Sequence, residues 1–298
     1  MADATSTGLT ISSTSNLATG QKILVANAMM AFEPAAPDPD LISVERIPPG
    51  HEQWEVLVMA RLADASALSE GTDLSVTQQL YANTVTITPT EHGILTSLSK
   101  RLLRRQGGQS ILATSGQMMA ASLRRRQAKD VVALYDGASK SSPGAGTALD
   151  VTHFRGSVAY LMTDNDTEYG PAQPPLIASL HIEQISDVIL DITDTAPRGT
   201  TSGFTDDLLQ RWWRGRDRLY GVEIFHSGAI VIDSGLDAKG AIFNKDFGKM
   251  VMATEAEATV DEDPGLRAEE HGLFQEWSEA EIADHWVVEI YSGAEATV

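Results

Sequence analysis

The chain has 298 residues, 42% apolar and 21% charged, enough for about two domains at roughly 100–200 residues each. Lys and Arg number 22 against 41 Asp and Glu, a net charge of −19, which argues against a protein whose whole surface grips nucleic acid or an anionic membrane. Cysteine is absent, so disulfides, Cys-ligated zinc, iron–sulfur clusters and cysteine nucleophiles are excluded.

Residues 1–50 read as an extended arm. Ser, Thr and Gly dominate 5–20, and Pro34, Pro37, Pro39, Pro48 and Pro49 forbid regular helix. The opening carries an acid and no early base, unlike a leader peptide, and the apolar run from Ile23 to Phe32 is too short to span a bilayer. No stretch reaches the ~18 apolar residues of a membrane helix, and a cytosolic setting is expected. An arm of this kind is ordered only when another surface ties it down. Trp54 to Met59 is apolar and extended, and Thr84-Val85-Thr86-Ile87-Thr88 alternates strictly before Pro89. With the polar residues between them, they read as a long hairpin. Two strands alone are marginal in water, so the hairpin needs support.

A basic segment, Ser99 to Arg105, precedes Gly107-Gly108. Gln109 to Tyr135 then predicts one helix roughly 40 Å long. Ile111 with Met118, and Leu112, Met119, Leu123, Val131, Leu134 and Tyr135, form its apolar stripe, and Gly137 is placed for a left-handed C-cap. The second half alternates. A helix is expected from Asp150 to Met162 and a strand from Leu176 to Leu180. Ile182, Ile185, Ile189 and Ile192 share one helical face. A loop over 197–203 leads to a helix from the Thr205-Asp206-Asp207 cap through Leu219. Strands Val222–Phe225 and Ala229–Ile232 flank a Ser227-Gly228 turn signal, and Ala241–Phe243, Lys249–Met252 and Trp286–Tyr291 close the order. No internal repeat is evident.

Motifs of chemistry are scarce. The sequence has no phosphate loop, nucleophile elbow or His-Glu-x-x-His. His226, Ser227 and Asp233 can be drawn as a hydrolase triad, but a His at a strand end beside a turn is the commoner arrangement. Glu269, Glu270, His271, Glu276, Glu279, Glu281 and Asp284 can be drawn as a metal site, but acid runs are usually a solvated face. Trp212-Trp213 between Arg211 and Arg214 suits packing or a subunit contact better than base stacking. No catalytic, cofactor-binding or metal residue is assigned, and no cofactor is expected. Charge placement says more. Residues 97–129 carry eight bases and no acid; residues 252–298 carry thirteen acids and one base, Arg267. Such segregation suits two surfaces that meet, within one chain or between copies.

This order of segments resembles the major capsid proteins of tailed double-stranded-DNA bacteriophages with the Hong Kong 97 fold. Thr84-Val-Thr-Ile-Thr-Pro-Thr-Glu-His-Gly93 is similar to the returning strand of that family's E-loop. Leu219-Tyr-Gly-Val-Glu-Ile-Phe225, and Lys239-Gly-Ala-Ile-Phe243 with Lys245-Asp246, resemble its "Tyr-Gly-Val" and "Ile-Phe…Lys-Asp" stretches. The resemblance implies an α+β capsid fold. Its N-terminal arm would be 1–50 and its E-loop β-hairpin 51–95. A peripheral domain over 96–168 would carry a spine helix at 109–136, followed by an axial domain over 169–250 and a return to the peripheral domain over 251–298. The implied function is structural, not enzymatic: a virion protein, assembled in the host cytoplasm, that self-assembles as pentamers and hexamers into an icosahedral shell around packaged DNA. Its partners would be its own copies, with separate scaffolding, portal and decoration proteins and non-specific DNA contact, and no membrane. Candidate lumen or inter-subunit contacts are Arg104, Arg105, Arg124, Arg125, Arg126 and Lys129. The sequence departs from parts of the family in lacking both an acidic coiled-coil scaffolding segment before the arm and a Lys in 62–82 for cross-linking. An encapsulin-like compartment shell is the alternative within the fold, and an acidic cytosolic hydrolase the alternative outside it.

Overall fold

The computed structural model describes residues 36–62, 64, 65, 67, 70, 81–105, 109–163, 169–195 and 218–295. In chain order the elements are a helical turn α1 (Asp38–Leu41), strands β1 (Ser43–Arg46), β2 (Trp54–Met59), β3 (Ala82–Ile87) and β4 (Thr90–Ser99), and helices α2 (Lys100–Arg105) and α3 (Gln109–Tyr135). Strand β5 (Ser141–Pro143), helix α4 (Val151–Met162), strand β6 (Leu176–Leu180) and helix α5 (Ile182–Thr195) follow. The remaining strands are β7 (Arg218–Leu219), β8 (Val222–His226), β9 (Asp237–Asn244), β10 (Gly248–Asp263), β11 (Ala268–Glu281) and β12 (Val287–Gly293). This is the α+β class that the sequence predicts. The chain divides into two compact units, with β10, β11 and α3 each contributing residues to both.

The larger unit, among described residues, comprises 36–89, 127–253 and 277–295. Its sheet has the order β5-β12-β9-β6-β8-β7. β6 pairs parallel with β8 and antiparallel with β9, and β9 pairs antiparallel with β12. Leu176–Leu180 reads Leu-Ile-Ala-Ser-Leu and is buried at every residue, as a central strand covered on both faces requires. Asp150 caps α4 by accepting the His153 amide at 2.6 Å. Phe154, Val158 and Leu161 of that helix, and Ile185 and Val188 of α5, pack with Ala178, Leu180, Ile242, Val288 and Ile290. Each large side chain so buried contributes about 1.5–3 kcal/mol. Ile189 and Ile192 join the same face, while Ile182 is exposed. At the end of α3, Tyr135 stacks on Phe243 (5.4 Å between centroids), which packs on Phe247 at 4.6 Å. A second cluster, Ile47, Ile87 and Val251, supports Trp54, Val56 and Val85 at the base of the β2–β3 hairpin, the support that this pair of strands needs.

The smaller unit comprises Thr90–Arg126 and Thr254–Glu276 among described residues. Here β11 lies between β10 and β4. The Phe274 ring covers two glycines: a Cβ on Gly93 or Gly272 would lie 2.4 or 2.5 Å from ring atoms. Leu98 and Leu102 are buried. Lys100 joins the ends of this unit's segments, its ammonium 2.6 Å from Glu262 and its amide donating to Arg267 O at 3.0 Å.

Several sequence expectations fail for identifiable reasons. The proline-rich 36–50 stretch does form a helical turn, because Pro39 lies in the first turn of α1, where no amide is needed. No strand forms at Ala229–Ile232 and no hairpin at Ser227-Gly228, since Ser227 is drawn inward. The hairpin turns instead at Tyr220-Gly221, both at positive φ (51° and 83°), and Arg218–Leu219 is its first strand, not the end of a helix. The rest of that expected helix, with Trp212-Trp213, lies outside the described residues. Gly137 is not left-handed. Its amide donates to Leu134 O at 3.1 Å, and a Cβ would lie 3.2 Å from that oxygen and 3.3 Å from Glu281 Oε2. Met118 is exposed, away from the buried Met119, Leu123, Val131 and Tyr135.

Candidate assembly surfaces

The β2–β3 hairpin has two unlike faces because side chains alternate along a strand. Trp54, Val56 and Val85 face the cluster beneath. Leu57 (57% exposed), Met59 (60%) and, just before β3, Tyr81 (63%) are left to solvent. Leu57 lies opposite Thr84 and Met59 opposite Ala82, so the β3 side chains across from them are small. Leu57 and Met59, two residues apart on β2, are thus exposed on the same face of the ribbon.

The segment around α1 is fixed by a buried acid. Asp38 is fully buried, and its Oδ1 accepts from Tyr135 Oη at 3.1 Å and Ser179 Oγ at 2.6 Å. Its Oδ2 accepts from Ser227 Oγ at 2.5 Å. Burial, and then the Asp38 charge, hold the Tyr135 phenol well above its usual pKa. Burial lowers His226 against the upward pull of Asp38. β1 then pairs parallel with β10, Ser43 opposite Lys249 and Arg46 opposite Met252. Ser227 is therefore an internal ligand of Asp38 and wholly buried, so the His226–Ser227–Asp233 triad does not form. Sequence reasoning missed Asp38, one of 41 acids, because Pro37 and Pro39 around it read as loop.

The acids drawn as a metal site are also dispersed. Glu269 lies 3.8 Å from His271 Nε2, but among the described residues no three Asp, Glu or His side chains gather to hold an ion. Glu281 and Asp284 form a separate pair. Burial, and then Asp284, raise Glu281 from 4.5 to about 7, while Asp284 Oδ1 accepts the Ser139 amide at 2.7 Å.

No family model matches the sequence, and no curated protein matches it. Solved structures do match along nearly the whole chain. The capsid of cyanophage P-SCSP1u aligns with TM-score 0.65 and 13% identity, covering 94% of this chain and 95% of its own. The capsid of Ralstonia phage GP4 aligns with TM-score 0.66 and 9% identity, covering 91% and 95%. The head structure of Helicobacter pylori bacteriophage KHP40 aligns with TM-score 0.65 and 12% identity, covering 90% and 94%. The chain has the fold of tailed-phage capsid proteins.

The bases singled out in the sequence are placed on the helices of this capsid fold. Arg104 is exposed at the end of α2; the side chain of Arg105 lies outside the described residues. On α3, Arg124 is half-buried, and Arg125, Arg126 and Lys129 are exposed. None of Arg124, Arg125 and Arg126 is without a partner. The basic and acidic segments meet within the chain at Lys100 and Glu262.

Proposed function

We propose that the chain is a major capsid protein, which self-assembles through pentamers and hexamers into the icosahedral shell of a virion and encloses double-stranded DNA. The observation that carries this reading is the match to phage capsid structures along 90% or more of the chain. The outward apolar side chains of the hairpin support it, since Leu57 and Met59 on one face are left exposed by the subunit's own fold. Copies of the chain are its main partners, and the host cytoplasm is where they assemble. The boundaries 1–50, 51–95, 96–168, 169–250 and 251–298 are its arm, E-loop, peripheral, axial and returning segments. Arg104, Arg105, Arg124, Arg125, Arg126 and Lys129 act at the lumen or between subunits, where cations soften repulsion between DNA and subunits of net charge −19.

The test is expression of the full chain, alone and with the scaffolding gene of its source, followed by light scattering and negative-stain microscopy. Closed shells or capsomers are expected. A protein that stays monomeric under all assembly conditions overturns the reading. Shells loaded with a protein cargo and no DNA in their native source would instead make it a compartment shell.

A further inference from the structure

The start of α5 is held by a histidine. His181 is the N-cap of the helix: its carbonyl accepts from Ile185 N at 3.1 Å, and its ring Nδ1 accepts from Glu183 N at 3.2 Å. The Gln184 side chain closes the turn from the other side, its Oε1 accepting from His181 N at 3.0 Å, the reciprocal arrangement of a capping box. Gln184 is wholly buried. Its Nε2 donates to Ala238 O and Ile290 O, each at 2.9 Å, and to Ser292 Oγ at 2.8 Å. The first turn of α5 is therefore where the helix is tied to β9 and β12, directly after β6.

An imidazole differs from the preferred Ser, Thr, Asp and Asn caps in that one proton at mildly acid pH removes its acceptor. The neutral ring carries its hydrogen on Nε2 and leaves the Nδ1 lone pair to the Glu183 amide. Protonation places a second N–H on Nδ1, donor against donor. It also sets a full positive charge at a helix N-terminus, where the amides already carry partial positive charge. A second histidine adds to this. His226 lies across the β6–β8 ladder from Leu180, the residue before His181, and its charge opposes that of His181. Among the described residues two acids act in the other sense, Glu183 on His181 and Asp38 on His226. Asp187, one turn along α5, acts with Glu183, and Tyr135 beside Asp38 stays un-ionised. Burial is the largest influence on both rings and holds each below its ordinary 6.5, so both are neutral at pH 7.

We propose that His181 is an acid-sensitive latch: with a neutral ring it caps α5 and holds the helix start against the sheet, and with a protonated ring it releases the Glu183 amide, so that the first turn of α5 opens. The sign follows from burial. The closed turn takes up the proton less readily than the open one, so closure is complete above about 6.5 and weakens as pH falls below it. Glu281 cannot imitate this, because its raised value makes acid favour the folded form. The latch is local to the subunit and independent of the shell reading, so the two can fail separately.

The test is hydrogen exchange of the full chain, read by mass spectrometry over Ile182–Val188 and corrected for intrinsic rates. Between about pH 7.5 and about pH 5, wild-type protection is expected to fall about fivefold or more, the loss of one helix cap, and the fall is expected to begin near 6.5. His181→Asn keeps a side-chain acceptor that does not titrate, and is expected to hold its protection across the range. His181→Ala has no acceptor and is expected to be open at both ends of it. Level protection in the wild-type chain overturns the proposal, as does a fall of the same size in His181→Asn. Protection of His181→Ala equal to wild type at about pH 7.5 also overturns it, because the ring would then hold nothing. A fall that begins only near about pH 4, the carboxylate range, would belong to Glu183 or Asp38 and is equally fatal. Should a variant misfold, the pH at which the wild-type fall begins still decides.

Discussion

Replacing Asp38 by Ala tests whether one buried carboxylate fixes the end of the arm. Asp38 accepts three hydroxyl hydrogen bonds, from Tyr135, Ser179 and Ser227. Hydrogen bonds to a charged acceptor contribute about 1.5–3 kcal/mol each. Burying the charge itself costs several kcal/mol, so the net value is far below the sum of the three. Removal also relieves that cost, but leaves three hydroxyls in a dry interior at about 1–3 kcal/mol for each one unpaired. Tyr135 and Ser179 share Oδ1 and can turn towards each other, whereas Ser227 loses its acceptor. The balance is a loss of about 3 kcal/mol for Asp38→Ala, about 1–2 kcal/mol for Asp38→Asn and about 1 kcal/mol for Tyr135→Phe. Guanidinium unfolding of the full chain, followed by Trp fluorescence, measures the order. Limited proteolysis across 36–50 measures release of the arm, which is expected only for the Ala variant. The reasoning is wrong if Asp38→Ala stays within about 0.5 kcal/mol of wild type, the range of an ordinary surface change, and the arm remains equally protected.

Three further outcomes are expected. Gly240→Ala places a Cβ 2.6 Å from Ser179 O and 2.9 Å from Gln184 Oε1, in the middle of the sheet. It should destabilise by about 3 kcal/mol or prevent folding, and a wild-type melting temperature would refute the close approach. Glu281, at about 7 in the folded chain against an ordinary 4.5, holds its proton more tightly folded than unfolded. Its contribution is full below about 4.5, declines as pH rises towards about 7 and is lost above it, a span of about 3 kcal/mol from the shift alone and about 2 kcal/mol once solvent screening of this half-buried group is allowed for. Glu281→Gln should flatten this slope in urea midpoints taken across the window; an unaltered slope counts against the burial argument. Leu57→Asp with Met59→Asp alters only exposed positions, so subunit stability should move by no more than about 0.5 kcal/mol while shells fail to form. Normal shells by microscopy would remove the hairpin face from the assembly surface.

What could be read from the sequence was set by local pattern. Helix α4, strand β6 and most of α3 follow from residues that agree with their neighbours, such as the Asp150 cap and the unbroken apolar run at 176–178. The long β10–β11 hairpin was not legible beyond Lys249–Met252, because Thr254–Asp263 has an acid at nearly every second position and buries almost nothing. Its strand character comes from the ladder with β11, a partner that no local pattern names. Pairing likewise selected Tyr220-Gly221 over Ser227-Gly228. Both are turn-like in sequence, but only the first lets β7 and β8 pair, with Leu219 opposite Val222, while the Ser227 hydroxyl is taken by Asp38, 189 residues away along the chain. The surfaces divide in the same way. The β2–β3 pair follows from the apolar run Trp54–Met59 and the alternation of Thr84–Thr88, but which side of the run is exposed does not, and the Asp38 anchor depends on three hydroxyls contributed by a helix, a strand and a turn. Interior polar sites are specified by the convergence of distant groups, so their chemistry is read from structure. Strands and helices are specified by neighbours two to four residues apart, so the order of elements was legible where the exposed side of an apolar run such as Val56–Met59, set by the cluster of Ile47, Ile87 and Val251 beneath it, was not.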